Sequence, residues 1–536
     1  MSAYASNPVP TDTPSRISTT ILPPDSQTPN FLIGVHQKSY KHQYSNIYYI
    51  RLHHLRPIVK EHAKEKWSDI EGNPQLVSRV LDVDKGKICY VIGTVYMEMP
   101  LKPNVMEDIA RDASIPPPPP PAKFYSPEDT VTLEDESGRI RLVGHRAKEA
   151  KLVTGIIVGV LGLETPNGDF EVIDICYPEV APQPVLEPTN EDTMDVDDSA
   201  KSPDEWIAAI SGLSVGSVSP SDAEMEMLVE YLTGETGNVE GQLSTSCISR
   251  LIIAGDSLVP VIPVVTETAL SFDERKARRY GYDATNFSPH PILSLSAILT
   301  DLATSMPIHI LPGETDPSGT IMPQQPFPRA MFGDAARFQS FICETNPTYL
   351  SISTEPEPEA SSSKSSRPPI KRKLLVNSGQ PLNDMFKYLS SPPHTRLGVL
   401  ESTLRWRHMA PTAPDTLWCH PYLEEDPFLI QETPDIYIVG GQKKFGTKLV
   451  VDQREKSKAQ NSRTRCRIVM VPNFAETGIL VLINLRTLDV KCIRFAVKGM
   501  TTGGHVKDKP PTNAPSPTPG EPQPTAPKQS MDYDFI

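Results

Sequence analysis

Four short stretches of this sequence have the make-up of ligand-bearing loops: Ser211-Gly212-Leu213-Ser214, Gly255-Asp256, Gly313-Glu314-Thr315-Asp316 and Gly441-Gln442-Lys443-Lys444. Each follows a short apolar run, and side chains at the carboxyl ends of strands in an α/β sheet gather in one crevice. The chemistry to look for there is hydrolysis by two metal ions, about 3.5–4 Å apart, that generate a hydroxide and clamp a phosphate. It needs several Asp, His and Asn ligands, and these loops fall short. Asp256 cannot hold an ion pair by itself, Val259 stands where a bridging carboxylate is wanted, and Lys443 and Lys444 would repel a divalent cation. No catalytic, cofactor-binding or metal-binding residue is therefore expected.

The rest of the chain offers no substitute. Its 12 histidines, His53-His54 and His408 among them, are not spaced with cysteines or carboxylates as a metal set. The 7 cysteines (Cys89, Cys176, Cys247, Cys343, Cys419, Cys466 and Cys492) form no CxxC pair, and free thiols suit a reducing compartment. No GxxxxGK[ST] phosphate loop occurs. Across 536 residues, 52 Lys and Arg face 66 Asp and Glu, a formal charge of -14. That balance argues against a protein gripping DNA by itself, since phosphate neutralisation supplies most non-specific affinity. The opening residues are polar with no apolar signal segment, and no run reaches the ~18 apolar residues of a membrane span.

The elements that would position these loops fall into two architectures. Residues 1–29 are rich in Ser, Thr and Pro and read as a disordered tail. Residues 30–77 form a helical segment, with Ile47, Tyr48, Leu52, Leu55, Val59 and Trp67 at helical spacing; Pro57 splits it into two helices or bends one. Within 78–182, strand-like runs begin near Ile88, a hairpin turns at Ser137-Gly138, and a second turns at Asn167-Gly168, a pair suited to tight turns. Four or five short strands there predict an OB-fold barrel, interrupted by the stiff run Pro116–Pro121. Residues 183–204 are an acidic linker. From 205 to 499 strands and helices alternate: Trp206–Ile210, a helix begun by a Ser221/Glu224 capping box, Ile248–Ala254, a helix over Ile292–Leu302, and Ile308–Leu311. Polar inserts at 353–373 and about 452–465 read as surface loops, and 500–536 as a disordered tail.

The four loops, in order, resemble the D-x-H, GDxxD, GN[HD] and GHxH motifs of calcineurin-like phosphoesterases with most ligands replaced. A bent helix, an OB-like barrel and a ligand-stripped phosphoesterase domain, in that order, resemble the B-subunits of replicative DNA polymerases, and specifically the DNA polymerase delta small-subunit family. The residues carrying this are Gly93-Thr94 to Met99-Pro100-Leu101-Lys102-Pro103, Leu133–Glu136 with Arg139-Ile140, and Lys151–Gly155. Ser211–Leu213, Leu311–Pro317 and Pro323–Pro326 continue it. The strongest stretch is LRWRHMAPTAPDTL, Leu404–Leu417, followed by Val471–Phe474 and Val481–Leu488. The likeness covers roughly residues 40–495.

The resemblance implies an α+β multidomain protein: an OB-fold barrel followed by an inactivated calcineurin-like metallophosphoesterase α/β domain. It implies a non-catalytic scaffold in the nucleus, without cofactor, supporting processive replication and repair synthesis. Its partners would be the cysteine-rich C-terminal domain of the polymerase delta catalytic subunit and an elongated third subunit. The sliding clamp would be reached indirectly, DNA only through the holoenzyme, and no membrane at all. The alternative is a metal-dependent 3′-exonuclease or phosphodiesterase, as in archaeal relatives that keep the ligands. Charge favours a protein partner for the barrel, because residues 85–182 carry 10 Lys or Arg against 15 Asp or Glu. Lys371, Arg372 and Lys373 are a candidate nuclear import signal. The ending Gln529–Ile536 faintly resembles a clamp-binding peptide, with Asp532 where an aliphatic residue is wanted.

Overall fold

A computed structural model describes residues 15–25, 27–39, 41–103, 121–183, 205–217, 222–235, 239–260, 288–354, 369–452 and 464–497. The acidic linker after Gln183, the Ser221 cap, most of the 452–465 insert and all of 500–536, with its terminal peptide, lie outside those residues. Met1–Ala496 form one compact unit, and everything below belongs to it.

The chain departs at once from the expectation set by its composition. Thr19–Leu22 is a strand, β1, and the disordered tail expected through residue 29 is corrected there. Three β-branched residues in a row favour this pleat. The run is too short to stand out from its Ser/Thr/Pro surroundings. The next element, α1, is a single helix, Ser45–Lys66, with Pro57 inside it. Pro57 deprives His53 of its helical donor, yet Leu52, Leu55, Val59 and Ala63 are all buried. Burial of that stripe against the barrel sustains the helix past the break.

The barrel consists of β2 (Gln75–Leu76), β3 (Cys89–Glu98), β4 (Thr130–Glu134), β5 (Arg139–Val143), β6 (Ile157–Glu164) and β7 (Phe170–Cys176), in the order β2-β3-β4-β5-β7-β6. A further pairing of β3 with β6 closes it, and β5 runs parallel to β7. The short helix α2, His145–Glu149, sits between β5 and β6. That connectivity is a five-stranded Greek-key OB barrel, with β2 appended. Asp135 fixes the β4–β5 turn by accepting from the N–H groups of Ser137 and Gly138 at 2.7 and 3.1 Å.

The α/β part holds two six-stranded sheets packed face to face. One runs β11-β10-β9-β8-β17-β18, from β8 (Trp206–Ile210), β9 (Ile248–Ala254), β10 (Ile308–Leu311), β11 (Phe341–Cys343), β17 (Ile479–Asn484) and β18 (Val490–Arg494). The other runs β1-β12-β13-β14-β16-β15, adding β12 (Thr348–Thr354), β13 (Lys371–Asn377), β14 (Ile436–Gln442), β15 (Gly446–Val451) and β16 (Arg465–Pro472). The insert expected at 353–373 is thus narrower, because β12 and β13 extend into both of its ends. Ile207, Ala209, Ile252, Val376, Ile438 and Val481 form the core between the sheets. Alternate residues Trp206, Ala208 and Ile210 face outward beneath α3 (Asp222–Thr233) and, after α4 (Val239–Ser246), α5 (His290–Ser305). Strands buried on both faces read as unbroken apolar runs, which is why they were legible.

Outside the second sheet lie α6 (Gln380–Lys387) and α7 (Arg396–Trp406). Their Met385, Leu400 and Trp406 share one continuous core with Val95, Leu133 and Val160 of the barrel. Barrel and sandwich are consequently fused rather than tethered.

Candidate functional site

The four loops singled out in the sequence do meet, at the carboxyl ends of β8, β9, β10 and β14. They are joined there by the loop after β11 and by Asn377-Ser378-Gly379 after β13. The Ser211 hydroxyl donates to the carbonyl of Ala254 at 2.7 Å and accepts from the N–H of Gly441 at 2.8 Å. Asp256 accepts from the N–H and hydroxyl of Thr315 at 3.1 and 3.3 Å. Asp316 spans two loops, accepting from Leu258 N and Gly313 N at 2.8 Å each. Asn346, buried, donates to Gln324 Oε1 at 2.7 Å and to Ser378 Oγ at 2.6 Å. Gln442 donates to the Gly440 carbonyl at 2.8 Å, while Arg396 donates to its Oε1 at 3.1 Å.

These bonds draw the loops into contact. A Cβ added at Gly255 would lie 2.4 Å from that of Ser378, and one at Gly313 would lie 2.2 Å from the Asp256 nitrogen. One at Gly440 would lie 2.2 Å from the Ala254 carbonyl oxygen. Beside these backbone approaches, the side-chain amides of Gln324 and Asn346 bond from loop to loop, and that of Gln442 bonds the Gly440 carbonyl.

The electrostatics fit a structural knot. Burial raises Asp256 above the ordinary carboxylate range, against the pull of its Thr315 and Glu314 N–H donors. Burial and the neighbouring Asp256 charge push Asp316 up to about 6, while Leu258 and Gly313 oppose. Among the described residues no three His, Cys, Asp or Glu side chains converge as a metal set. Lys443 and Lys444 are exposed, and Gln442 is the residue that the turn after β14 buries. Asn346, Ser378, Gln324 and Arg396 were missed, although Ser378-Gly379 repeats the strand-then-glycine signal of the other loops. Gly212-Leu213-Ser214-Val215-Gly216 has the spacing of a serine-hydrolase elbow, and Ser214 has φ +45°. No histidine or carboxylate bonds its hydroxyl among the described residues, so the spacing brings no catalytic base with it.

A second polar cluster holds α1, barrel and sandwich together. Arg51, on α1, reaches Asp426 at 2.9 Å and donates to the carbonyls of Gly155, Pro411 and Ala413 at 3.0, 2.8 and 3.0 Å. His408 completes it, its Nε2 lying 2.8 Å from Asp426 and its Nδ1 accepting from Ala410 N at 3.1 Å. All three side chains are 0% exposed. Burial and the Arg51 charge depress His408 to about 4, so its ring is neutral. His408 and Arg51 in turn hold Asp426 well below the carboxylate range despite its burial. Lys102 from the barrel pairs with Asp415 at 2.6 Å, and Arg407 donates to the carbonyls of Glu179 and Val180. The stretch Leu404–Leu417 is thus the seam along which the barrel is docked.

Comparison with known proteins bears on both clusters. Residues 43–175 match the family described as DNA polymerase delta subunit OB-fold domain. Residues 207–356 and 370–447 match the family of DNA polymerase alpha/epsilon B-subunits. The chain is 33% identical over 456 residues to the DNA polymerase delta small subunit of Oryza sativa subsp. japonica, covering 85% of this chain and 93% of that one. The chain belongs to the DNA polymerase delta small-subunit family. The proteins of that name from Arabidopsis thaliana and Saccharomyces cerevisiae are 32% and 31% identical. They align over 85% and 87% of this chain, and 92% of each relative.

Within this family member the proposed import residues are structural. Lys371–Lys373 open β13 rather than a loop. Arg372 donates to the Leu485 carbonyl at 2.7 Å and lies 3.4 Å from Asp435, and Lys373 pairs with Glu432 at 2.7 Å. An extended basic peptide must offer its side chains outward, and here only Lys371 of the three is exposed.

Proposed function

We propose that this chain is a non-catalytic accessory subunit of DNA polymerase delta, a scaffold joining the catalytic subunit's C-terminal domain to a third subunit. On this reading residues 30–77 are a bracing helix, 78–182 an OB domain, and 205–499 a phosphoesterase-like domain of calcineurin ancestry that no longer hydrolyses. Its place of work is the nucleus, and DNA and the sliding clamp are reached through the assembled enzyme. The observation carrying the proposal is the packed state of the strand-end crevice, where Ser211, Asn346, Ser378 and Gln442 bond one another and backbone. The barrel's excess of carboxylates supports a protein partner over single-stranded DNA.

Co-expression with a polymerase delta catalytic subunit, followed by size-exclusion chromatography, tests the scaffold. Co-elution at one-to-one stoichiometry is expected. Incubation with manganese and labelled single-stranded DNA tests the exonuclease alternative. Turnover that disappears in Asp256→Asn would overturn the non-catalytic reading.

A further inference from the structure

We propose that a cleft at the junction of α1, the barrel and the Leu404–Leu417 seam receives an arginine- or lysine-bearing segment of a protein partner. This rests on the accessory-subunit reading above and names a contact within it.

The cleft encloses about 600 Å³, room for one or two side chains of an extended peptide. Tyr48 and Tyr49 of α1 form one wall, Tyr96, Glu134 and Glu136 of the barrel a second, and Asp415 of the seam a third. Carboxylates outnumber cations around it. Glu134, Asp135, Glu136 and Asp415 line the space, and Arg139 is the cation among the lining residues. Arg139 pairs with Glu134 at 3.0 Å, Arg56 with Glu136 at 2.9 Å and Lys102 with Asp415 at 2.6 Å, so three of the four carboxylates have a cation. Asp135 accepts from the N–H groups of Val80, Ser137 and Gly138 instead, so among the described residues its charge is the one of the four left without an ion pair. Burial together with Asp415 and Glu134 raises the Tyr96 phenol, in keeping with that potential.

The rings add a second kind of attraction. Arg51 lies 5.3 Å from the Tyr48 ring centre and Lys102 4.8 Å from that of Tyr96, so these phenols already hold cations. Tyr49, 59% exposed at the rim, stacks one face on His53 at 6.0 Å. Its other face can take a guanidinium or ammonium group by cation–π contact, and Glu136, which lines the same cleft and is half exposed, can share its carboxylate between Arg56 and that group. Nucleic acid is disfavoured here, because its phosphates would meet the carboxylates.

The test uses the full chain assembled with the catalytic and third subunits. With a photo-crosslinking benzoylphenylalanine in place of Tyr49, irradiation should join the chain to a partner segment containing Arg or Lys within a few residues of the crosslink. Tyr49→Ala/Glu136→Gln should weaken assembly at least threefold at 0.15 M salt without changing thermal unfolding of the isolated chain; Glu136→Gln alone should weaken it measurably. A complex that forms but gives no partner crosslink, or a crosslink to a segment lacking basic residues, sinks this proposal alone. So does weakening by less than threefold in the double variant. A wild-type chain that assembles with neither subunit sinks the accessory-subunit reading, and this proposal with it.

Discussion

Replacing Arg51 by Met removes the cation on which the seam turns while keeping most of the side chain's bulk. Asp426 then stays buried with His408 as its remaining side-chain partner, and the carbonyls of Gly155, Pro411 and Ala413 each lose a donor. Breaking a buried ion pair from one side destabilises by about 3–5 kcal/mol. The abandoned carbonyls lie within that figure in part, so about 4 kcal/mol is the working expectation at pH 8. The loss should shrink on acidification. In the native protein His408 is depressed to about 4, so its contribution is fully present above the ordinary histidine value and fades as pH falls toward 4. Without Arg51 the repulsion disappears and Asp426 draws a proton onto the ring, raising the folded-state value. His408 then becomes the counter-ion, a contribution gained below about pH 6.5. Urea unfolding of Arg51→Met followed by tryptophan fluorescence, at pH 8 and pH 5.5, measures both effects. A loss below about 1 kcal/mol at pH 8, or one unchanged at pH 5.5, refutes the account of this cluster.

Three further outcomes are expected. Gly255→Ala, at φ +79° with Ser378 2.4 Å from the new Cβ, should lower stability by at least about 2 kcal/mol, whereas Gly319→Ala, with nothing within 4 Å, should be neutral by thermal unfolding. Removing residues 1–22 should cost about 2–4 kcal/mol and promote self-association in light scattering, because Arg250 loses Thr19 and β12 becomes a bare edge. Manganese at about 1 mM should leave the melting temperature unchanged; a site with a Kd near 10 μM would add about 2.7 kcal/mol, an easily seen shift.

Much of the framework could be read from the residues because its signals are local. Ile248–Ala254 and Ile308–Leu311 are apolar without a break, and each proved to be a strand of those limits. Asn167-Gly168 marked its hairpin, and the helical stripe of α1 outweighed Pro57. What stayed hidden depends on distant partners. Arg51 and Asp426 are 375 residues apart, and nothing near either says that both are buried. Within the strand-end crevice the loops were legible but their contents were not. A turn that faces Gln442 inward and Lys443 outward shifts charge by one residue, and sequence spacing cannot choose between them. β1 escaped because four residues carry little period, and its partner strand lies at 348–354.

That last pairing sets a timetable. Thr19 faces Thr354, so this segment cannot take its place until some 335 later residues have emerged from the ribosome. At roughly 5–20 residues per second, the wait is about 17–67 seconds. Arg250, His309 and Glu344, which brace the strand's eventual seat, are themselves made only late in that interval, so the strand that Arg250 will grip hangs free for most of it. Closure of the outer edge of the sheet is therefore a late act of maturation, and a bulky fusion at the amino terminus would burden that act before any other.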